Sequence, residues 1–267
     1  MGLSYRPEFD EFWKEVIGLV DCVEYIPDEL PVNERLLSAT SCAVPSHLPA
    51  MAHSTSLSVG SADLMEECDL ADVRRCIDEI GADLCSDHLA FRRSGDLNFD
   101  NFCLPLGDRV STEVVLENHR WYQEKLGRRL ILENVTINGL VATDRPLEVE
   151  LDMFRRVAEA EIGILLDVNN LFVNCANFGM QLPQYLKTFP LDAVIGLHIA
   201  GFEIVDEWYV DSHMAPIDRR VSELAEEILK SSNAEFVVLE RDNSSATRAE
   251  LLRELEVIRG FWDRSRS

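Results

Sequence analysis

Seven short apolar runs alternate with amphipathic stretches of helical spacing, and this alternation limits the fold more than any other feature. The runs are DCVEYI from Asp21, AMAHSTSL from Ala50, LCSDHLAF from Leu84, RLILENV from Arg129, GILLDVNN from Gly163, AVIGLHIAG from Ala193 and EFVVLERD from Glu235. Between them lie EECDLADVRRCIDEIG, TEVVLENHRWYQEKLG, EVELDMFRRVAEA and RRVSELAEEILKSS, several ending near Gly or a basic residue as helix C-termini do. Strand and helix signals in alternation imply a parallel sheet with helical crossovers. GLSY at Gly2–Tyr5 supplies one more strand, giving about eight units in 267 residues, the size of one TIM (β/α)8 barrel. A doubly wound open sheet is the alternative, but no G-x-G-x-x-G follows the first strand. With no linker, low-complexity tract or internal repeat, the expectation is a single catalytic domain over residues 1–267. The stretch LFVNCANFGMQLPQYLKTFP, from Leu171 to Pro190, reads as a long loop over an active site.

Within six of the runs the apolar part comes first and the polar residues come last. His53, His88, Glu133 with Asn134, Asp167 with Asn169, His198, and Glu240 with Asp242 hold these positions. The gaps from His53 to His88, Glu133, Asp167, His198 and Glu240 in turn are 35, 45, 34, 31 and 42 residues, each about one βα unit. Barrel enzymes carry their chemistry at the C-terminal ends of parallel strands, so these residues would converge on one mouth. Asp211 and His213, in YVDSHMAP, would lie in the loop after the seventh strand, above the same mouth. Histidines, carboxylates and an asparagine in one place suit a hard-to-borderline divalent cation, and more than one ion. A buried carboxylate cluster without a cation would repel itself. Taken singly, His53 or His88 reads as a hydrogen-bonded core histidine, Asp167 as a helix cap, and Asn134, Asn169 and Asn170 as loop-shaping residues. His119, in a helical stretch, reads as surface, His47 is ambiguous, and Arg241 reads as an ion-pair partner for the acidic mouth.

A net charge of −23 argues against nucleic acid as a partner. No apolar run reaches membrane-span length. The opening MGLSYRPEFDEFW lacks the features of a signal peptide. Seven cysteines, an odd number with no C-x-x-C, fit reduced thiols in a cytoplasmic protein.

The motifs H-S-T-S-L-S-V-G-S (His53–Ser61), S-D-H-L-A-F (Ser86–Phe91), L-E-N-V (Leu132–Val135), L-L-D-V-N-N (Leu165–Asn170, then Val173 and Asn174), L-H-I-A-G (Leu197–Gly201), D-S-H (Asp211–His213) and L-E-R-D (Leu239–Asp242) occur in this order. Together they resemble the multinuclear non-haem iron-dependent oxidative enzymes, the family of MbnB, of methanobactin biosynthesis, and TglH. The resemblance implies a xylose-isomerase-like TIM barrel holding two or three iron ions, mixed Fe(II)/Fe(III), with O2 as co-substrate. It implies oxidative modification of cysteine, or another residue, in a ribosomally synthesised precursor peptide, by oxazolone and thioamide formation or by excision of the cysteine β-carbon. A small partner protein that binds the leader peptide is implied as well. By the resemblance, the metal ligands are His53, His88, Glu133, Asp167, Asn169, His198, Asp211, His213 and Glu240. Glu133 would bridge two ions, and Asp242 would act beside them as an acid or base. Where the family usually has H-G-V-S-L-S this chain has H-S-T-S-L-S, and Phe202 stands where a polar group is frequent. Two other readings of the residues stay open: a divalent-metal barrel isomerase or hydrolase, and a non-catalytic metal- or peptide-binding scaffold.

Overall fold

The structure, a computed structural model, describes residues 1–6, 13, 15–28, 47–95, 97–138, 143–242 and 246–266. Eight parallel strands close into a barrel. They are β1 (Gly2–Ser4), β2 (Cys22–Tyr25), β3 (Ala50–His53), β4 (Leu84–His88), β7 (Arg129–Glu133), β8 (Ile164–Asp167), β9 (Val194–Ile199) and β12 (Phe236–Leu239). The cyclic order β1-β12-β9-β8-β7-β4-β3-β2 is sequential around the ring. This is the TIM barrel, and the open-sheet alternative is excluded by the β1–β12 pairing of Gly2 with Val238 and Leu3 with Leu239. Two hairpins stand outside the ring. One is β5 (Phe91–Ser94) with β6 (Leu97–Cys103), after β4; the other is β10 (Phe202–Val205) with β11 (Trp208–Asp211), after β9.

Helices pack around the ring through apolar stripes. In α1 (Glu67–Ile80) the stripe is Leu70, Val73, Cys76 and Ile77, and Gly81, at φ 69°, ends the helix in the left-handed conformation. In α2 (Arg109–Leu126) Asp108 accepts from the Ser111 N–H as N-cap, and the buried positions are Thr112, Val115, His119, Tyr122 and Leu126. His119 is therefore not on the surface. Its place in this 3–4–3–4 series turns it inward, and its Nε2 lies 2.8 Å from the Leu130 carbonyl. Further helices are α3 (Pro146–Glu159), α4 (Val168–Phe178), α5 (Leu182–Leu186), α6 (Arg219–Ser231) and α7 (Arg248–Arg266).

The long loop expected over Leu171–Pro190 is instead α4 and α5. The asparagines there do not bend their own backbone. Asn174 accepts from the Ile137 N–H (2.8 Å) and donates to the Val135 carbonyl (2.8 Å), so its amide ties α4 to the neighbouring loop. The segment is left free to run as a helix capped by Asp167, whose Oδ1 accepts from the Asn170 N–H.

Layering inside the barrel follows side-chain size. At Gly196 a Cβ would come within 2.1 Å of the Phe236 ring, so the glycine admits the ring. Above the apolar layers, register sets His88 beside Glu133 and Asp167 beside His198 at the C-terminal ends of their strands. The six cysteines among the described residues are free, and Cys42 lies outside them. No helix among the described residues is long and apolar enough to cross a membrane.

One buried acid lies behind α4 rather than at the mouth. Glu150 on α3 is fully buried and accepts from the Tyr185 hydroxyl (2.7 Å), and burial raises its pKa to about 7. The folded state thus holds this proton more tightly than the unfolded chain. Its contribution to stability falls as pH rises from the ordinary glutamate range through about 7, then levels off. Glu150→Gln should remove that slope. Urea unfolding at pH 5 and pH 8 should show the variant gaining on the parent by about 1–3 kcal/mol across the interval; parallel pH profiles would contradict the assignment.

Candidate metal centre

Glu133 occupies the middle of the mouth, 1% exposed, at the end of β7. Its two oxygens face different groups. Oε2 lies 3.4 Å from His53 Nε2 and 3.3 Å from His88 Nε2. Oε1 lies 2.8 Å from His198 Nδ1, which is also 3.1 Å from Glu240 Oε2. Two donor sets form around this carboxylate: His53, His88 and Glu133 on one side, and Glu133, Asp167, His198 and Glu240 on the other, each with ligand atoms within 4.8 Å of one another. Further out, His213 Nε2 is 3.0 Å from Asp211 Oδ1, which accepts from Asn169 Nδ2 (2.7 Å). All nine residues expected at the centre are therefore gathered at one end of the barrel.

Local chemistry holds each of them. His53 Nδ1 meets the Ser86 hydroxyl at 2.9 Å, leaving Nε2 turned to the centre. The H-S-T-S-L-S loop that follows is pinned by two carboxylates. Asp28 accepts from Ser54 Oγ, the Thr55 N–H and Ser56 Oγ, and Asp87 accepts from the Leu57 N–H. His88 stacks on Phe102, ring centroids 3.7 Å apart. Asn134 clamps β8 by donating to the Asp167 carbonyl (3.0 Å) and accepting its N–H (2.7 Å), and Asn170 donates to the Asn134 carbonyl. Asn134 and Asn170 thus shape the loops, whereas Asn169 faces Asp211. Asp167 does two jobs: Oδ1 caps α4, while Oδ2 is buried with no hydrogen-bond partner. Gly201 lets the chain fold back over β9, since a Cβ there would lie 1.9 Å from the Ala215 carbonyl. The returning chain puts His213 at φ 51°, its N–H donating to Gly201 O (3.1 Å) and its carbonyl accepting from the Asp242 N–H (3.1 Å).

Two charged residues escape the sequence reading. Glu24, on β2, is 1% exposed and its Oε2 lies 2.9 Å from His198 Nε2. An acid inside the short apolar run DCVEYI was the available signal. Arg6 reaches Asp242 Oδ1 through Nε (2.8 Å) and Nη2 (2.6 Å) and Ser4 Oγ through Nη1 (2.7 Å). Arg241, expected at the acidic mouth, turns outward instead. It is buried 3.3 Å from Glu254 of α7, and donates to the His213 carbonyl. Alternation along the chain after β12 sends Glu240 and Arg241 to opposite sides. His47 is exposed in a turn and takes no part.

The electrostatics show what a cation would resolve. Burial raises Glu133 to about 8 and Asp167 to about 7, the latter with help from Asp211. Burial also lowers His53 and His88. His198 and His213 go the other way: burial would lower them, but Glu24, Glu240 and Glu133 around His198, and Asp211 and Glu240 around His213, raise both well above the usual range. Glu240 falls well below the carboxylate range because the attraction of His198 and His213 outweighs its burial. Glu133 Oε2, Asp167 Oδ2, His88 Nδ1, Glu24 Oε1 and Asn169 Oδ1 are buried with no hydrogen-bond partner. Orphaned polar atoms at this density are costly unless something binds them, and imidazole with carboxylate is a donor set for divalent transition metals. The residues fit metal ions.

The sequence matches, over residues 1–263, the family described as "RiPP precursor modification enzyme MbnB/TglH/ChrH". The chain belongs to that family. It is 32% identical to a UPF0276 protein of Rhizorhabdus wittichii, over 97% of this chain and 93% of that one. A UPF0276 protein of Pseudomonas aeruginosa is 33% identical, over 92% and 86%. Among solved structures, a xylose isomerase domain-containing protein from Salmonella typhimurium superposes with TM-score 0.62 at 12% identity, covering 96% of both chains. Endonuclease IV from Thermus thermophilus does so with TM-score 0.58 at 17% identity, covering 98% of both. At such identities the likeness is one of fold, that of xylose-isomerase-like TIM barrels.

Metal uptake by the metal-free protein should release protons, because Glu133 and Asp167 carry them up to about pH 8 and 7. Apparent affinity should therefore rise between pH 6 and 8. Calorimetric titration in buffers of different ionisation enthalpy measures the release directly; uptake with no proton release would contradict these assignments.

Proposed function

We propose that this protein is a multinuclear iron enzyme that uses dioxygen to modify cysteine, or another residue, in a ribosomally synthesised precursor peptide. The observation that carries the reading is the division of Glu133 between two buried donor sets, in a chain whose family modifies such precursors. His53, His88 and Glu133 Oε2 would hold one ion. Glu133 Oε1, Asp167, His198 and Glu240 would hold a second, with Glu133 as the bridge. Asn169, Asp211 and His213 would complete the outer side of the centre or hold a third. Bound iron supplies one-electron chemistry with dioxygen and acidifies a thiol that it binds.

The chain's own residues supply the rest. A pocket of about 170 Å³ opens onto the centre, lined among others by Ile26, Thr55, Phe102, Val135 and Thr136. It is large enough for a side chain of the peptide. Glu24 and Ser86 fix the ring orientations of His198 and His53, as partners of metal-bound histidines do. Asp242 stands at the rim, its Oδ2 3.5 Å from His213 Nδ1. Burial would raise Asp242, but His213 and Arg6 hold it below the usual range. It is therefore ionised, and in this reading it would serve beside the centre as an acid/base or hydrogen-bonding group for the substrate. A small leader-binding partner protein belongs to this reading.

Co-expression with short cysteine-containing reading frames adjacent to the gene, followed by mass spectrometry, tests the activity. The expected result is a mass change in one peptide that requires both oxygen and iron; an oxygen-independent change, or none with any adjacent peptide, would contradict it. Glu133→Ala and His88→Ala should lose metal and turnover together. Asp242→Asn should keep its metal and lose about 10²–10⁴ in rate, the usual worth of a positioned proton acceptor. Normal turnover by Asp242→Asn would remove it from the chemistry.

A further inference from the structure

The hairpin after β9 carries an apolar patch beside the mouth. Of the ten large hydrophobic side chains exposed among the described residues, five are Ile204, Val205, Trp208, Val210 and Met214. The hairpin, Phe202 to Asp211, also holds the exposed acids Glu203, Asp206 and Glu207 and no lysine or arginine, while Asp211 pairs with His213 and Asp218 beyond it pairs with Arg220, which packs on Phe202. Greasy and acidic in one place, it matches a partner that is greasy and basic.

The two edges of the hairpin differ. On β11, Asn177 of α4 bonds both backbone groups of Tyr209: its Nδ2 donates to the carbonyl (2.8 Å) and its Oδ1 accepts the N–H (2.9 Å). That edge is closed. Tyr209 pairs with Ile204 across the hairpin. In an antiparallel ladder, residues of such a non-hydrogen-bonded pair turn their backbone groups away from each other. Ile204 thus directs its N–H and carbonyl out of β10, where no described backbone group meets them. The turn at Asp206 and Glu207, with φ 49° and 68°, has the mirror-type geometry that suits a two-residue hairpin. The base is fixed by Phe202 stacking on Phe172, ring centroids 5.2 Å apart. The open edge is therefore preformed.

An unpaired strand edge is a template for another strand. We propose that β10 is a docking edge for an extended peptide segment that alternates apolar and basic residues and joins the hairpin as a third strand. That the segment belongs to the precursor rests on the peptide-modifying reading above. β10 begins at Phe202, just past the end of β9, and β11 ends at Asp211 in the candidate centre, so the docked strand is continuous with the mouth. Self-pairing of two copies through β10 is disfavoured, because it would bring Glu203, Asp206 and Glu207 of both copies together.

Selection of random displayed peptides on the full protein tests this, with Ile204→Pro as the comparison. Proline removes the outward N–H while the ladder positions Glu203 and Val205 keep theirs. Enriched sequences should alternate apolar residues with Lys or Arg. A synthetic peptide of the enriched sequence should bind the parent at least tenfold more tightly than Ile204→Pro, and more weakly as salt rises. Glu207→Lys, a change at the exposed turn, should weaken it several-fold through charge alone. Iron content, measured on all three proteins, should not change. Enrichment of neutral or acidic sequences, no enrichment, equal binding by Ile204→Pro, or a dimer that Ile204→Pro abolishes would each overturn the proposal. Peptide binding at β10 without any oxidation of adjacent-gene peptides would leave the docking edge standing and overturn only the catalytic reading.

Discussion

Both oxygens of one buried carboxylate, Glu133, face histidines, and the arrangement of the barrel end depends on that. Oε2 faces His53 and His88, and Oε1 faces His198. A carboxylate so placed cannot be ionised cheaply without a cation, and burial drives it to hold a proton up to about pH 8. The strand register serves this point: His88 lies beside Glu133, and Asp167 beside His198. So do the outer contacts, from Ser86 on His53 to Glu24 on His198 and Arg6 on Asp242. They form a shell of polar groups that would have no purpose around a purely apolar core.

The fold and the members of the centre are largely legible in the sequence because both follow from period. Strand ends spaced by one βα unit must face the same way in a parallel barrel, so His53, His88, Glu133, Asp167, His198 and Glu240 can be brought together without coordinates. What is not legible depends on which side of the chain a residue takes. Glu24 hides in a run whose other members are apolar, and Arg6 lies past the end of the first strand with no pattern to mark it. Arg241 follows Glu240 directly, and alternation sends it to Glu254 instead of the mouth. His119 was readable as buried from its 3–4–3–4 spacing. The helix α4 was masked by its asparagines, which in isolation signal turns but here bond to the loop after β7.

The barrel itself says little about chemistry. An endonuclease and a xylose isomerase domain protein share its architecture at under 20% identity. What this chain does has to be read from its site, four histidines and four carboxylates at the barrel end, and from a hairpin that combines an open edge with an acidic, apolar surface. The net charge of −23 suits the basic peptide proposed for that edge.

The central claim is that Glu133 joins two ions. Elemental analysis combined with Mössbauer spectroscopy, on protein purified with iron supplied, addresses it most directly. Two or more irons per chain, partly ferrous and magnetically coupled as ions sharing a carboxylate are, is the predicted result. A single zinc or manganese per chain, with no iron taken up, would contradict it.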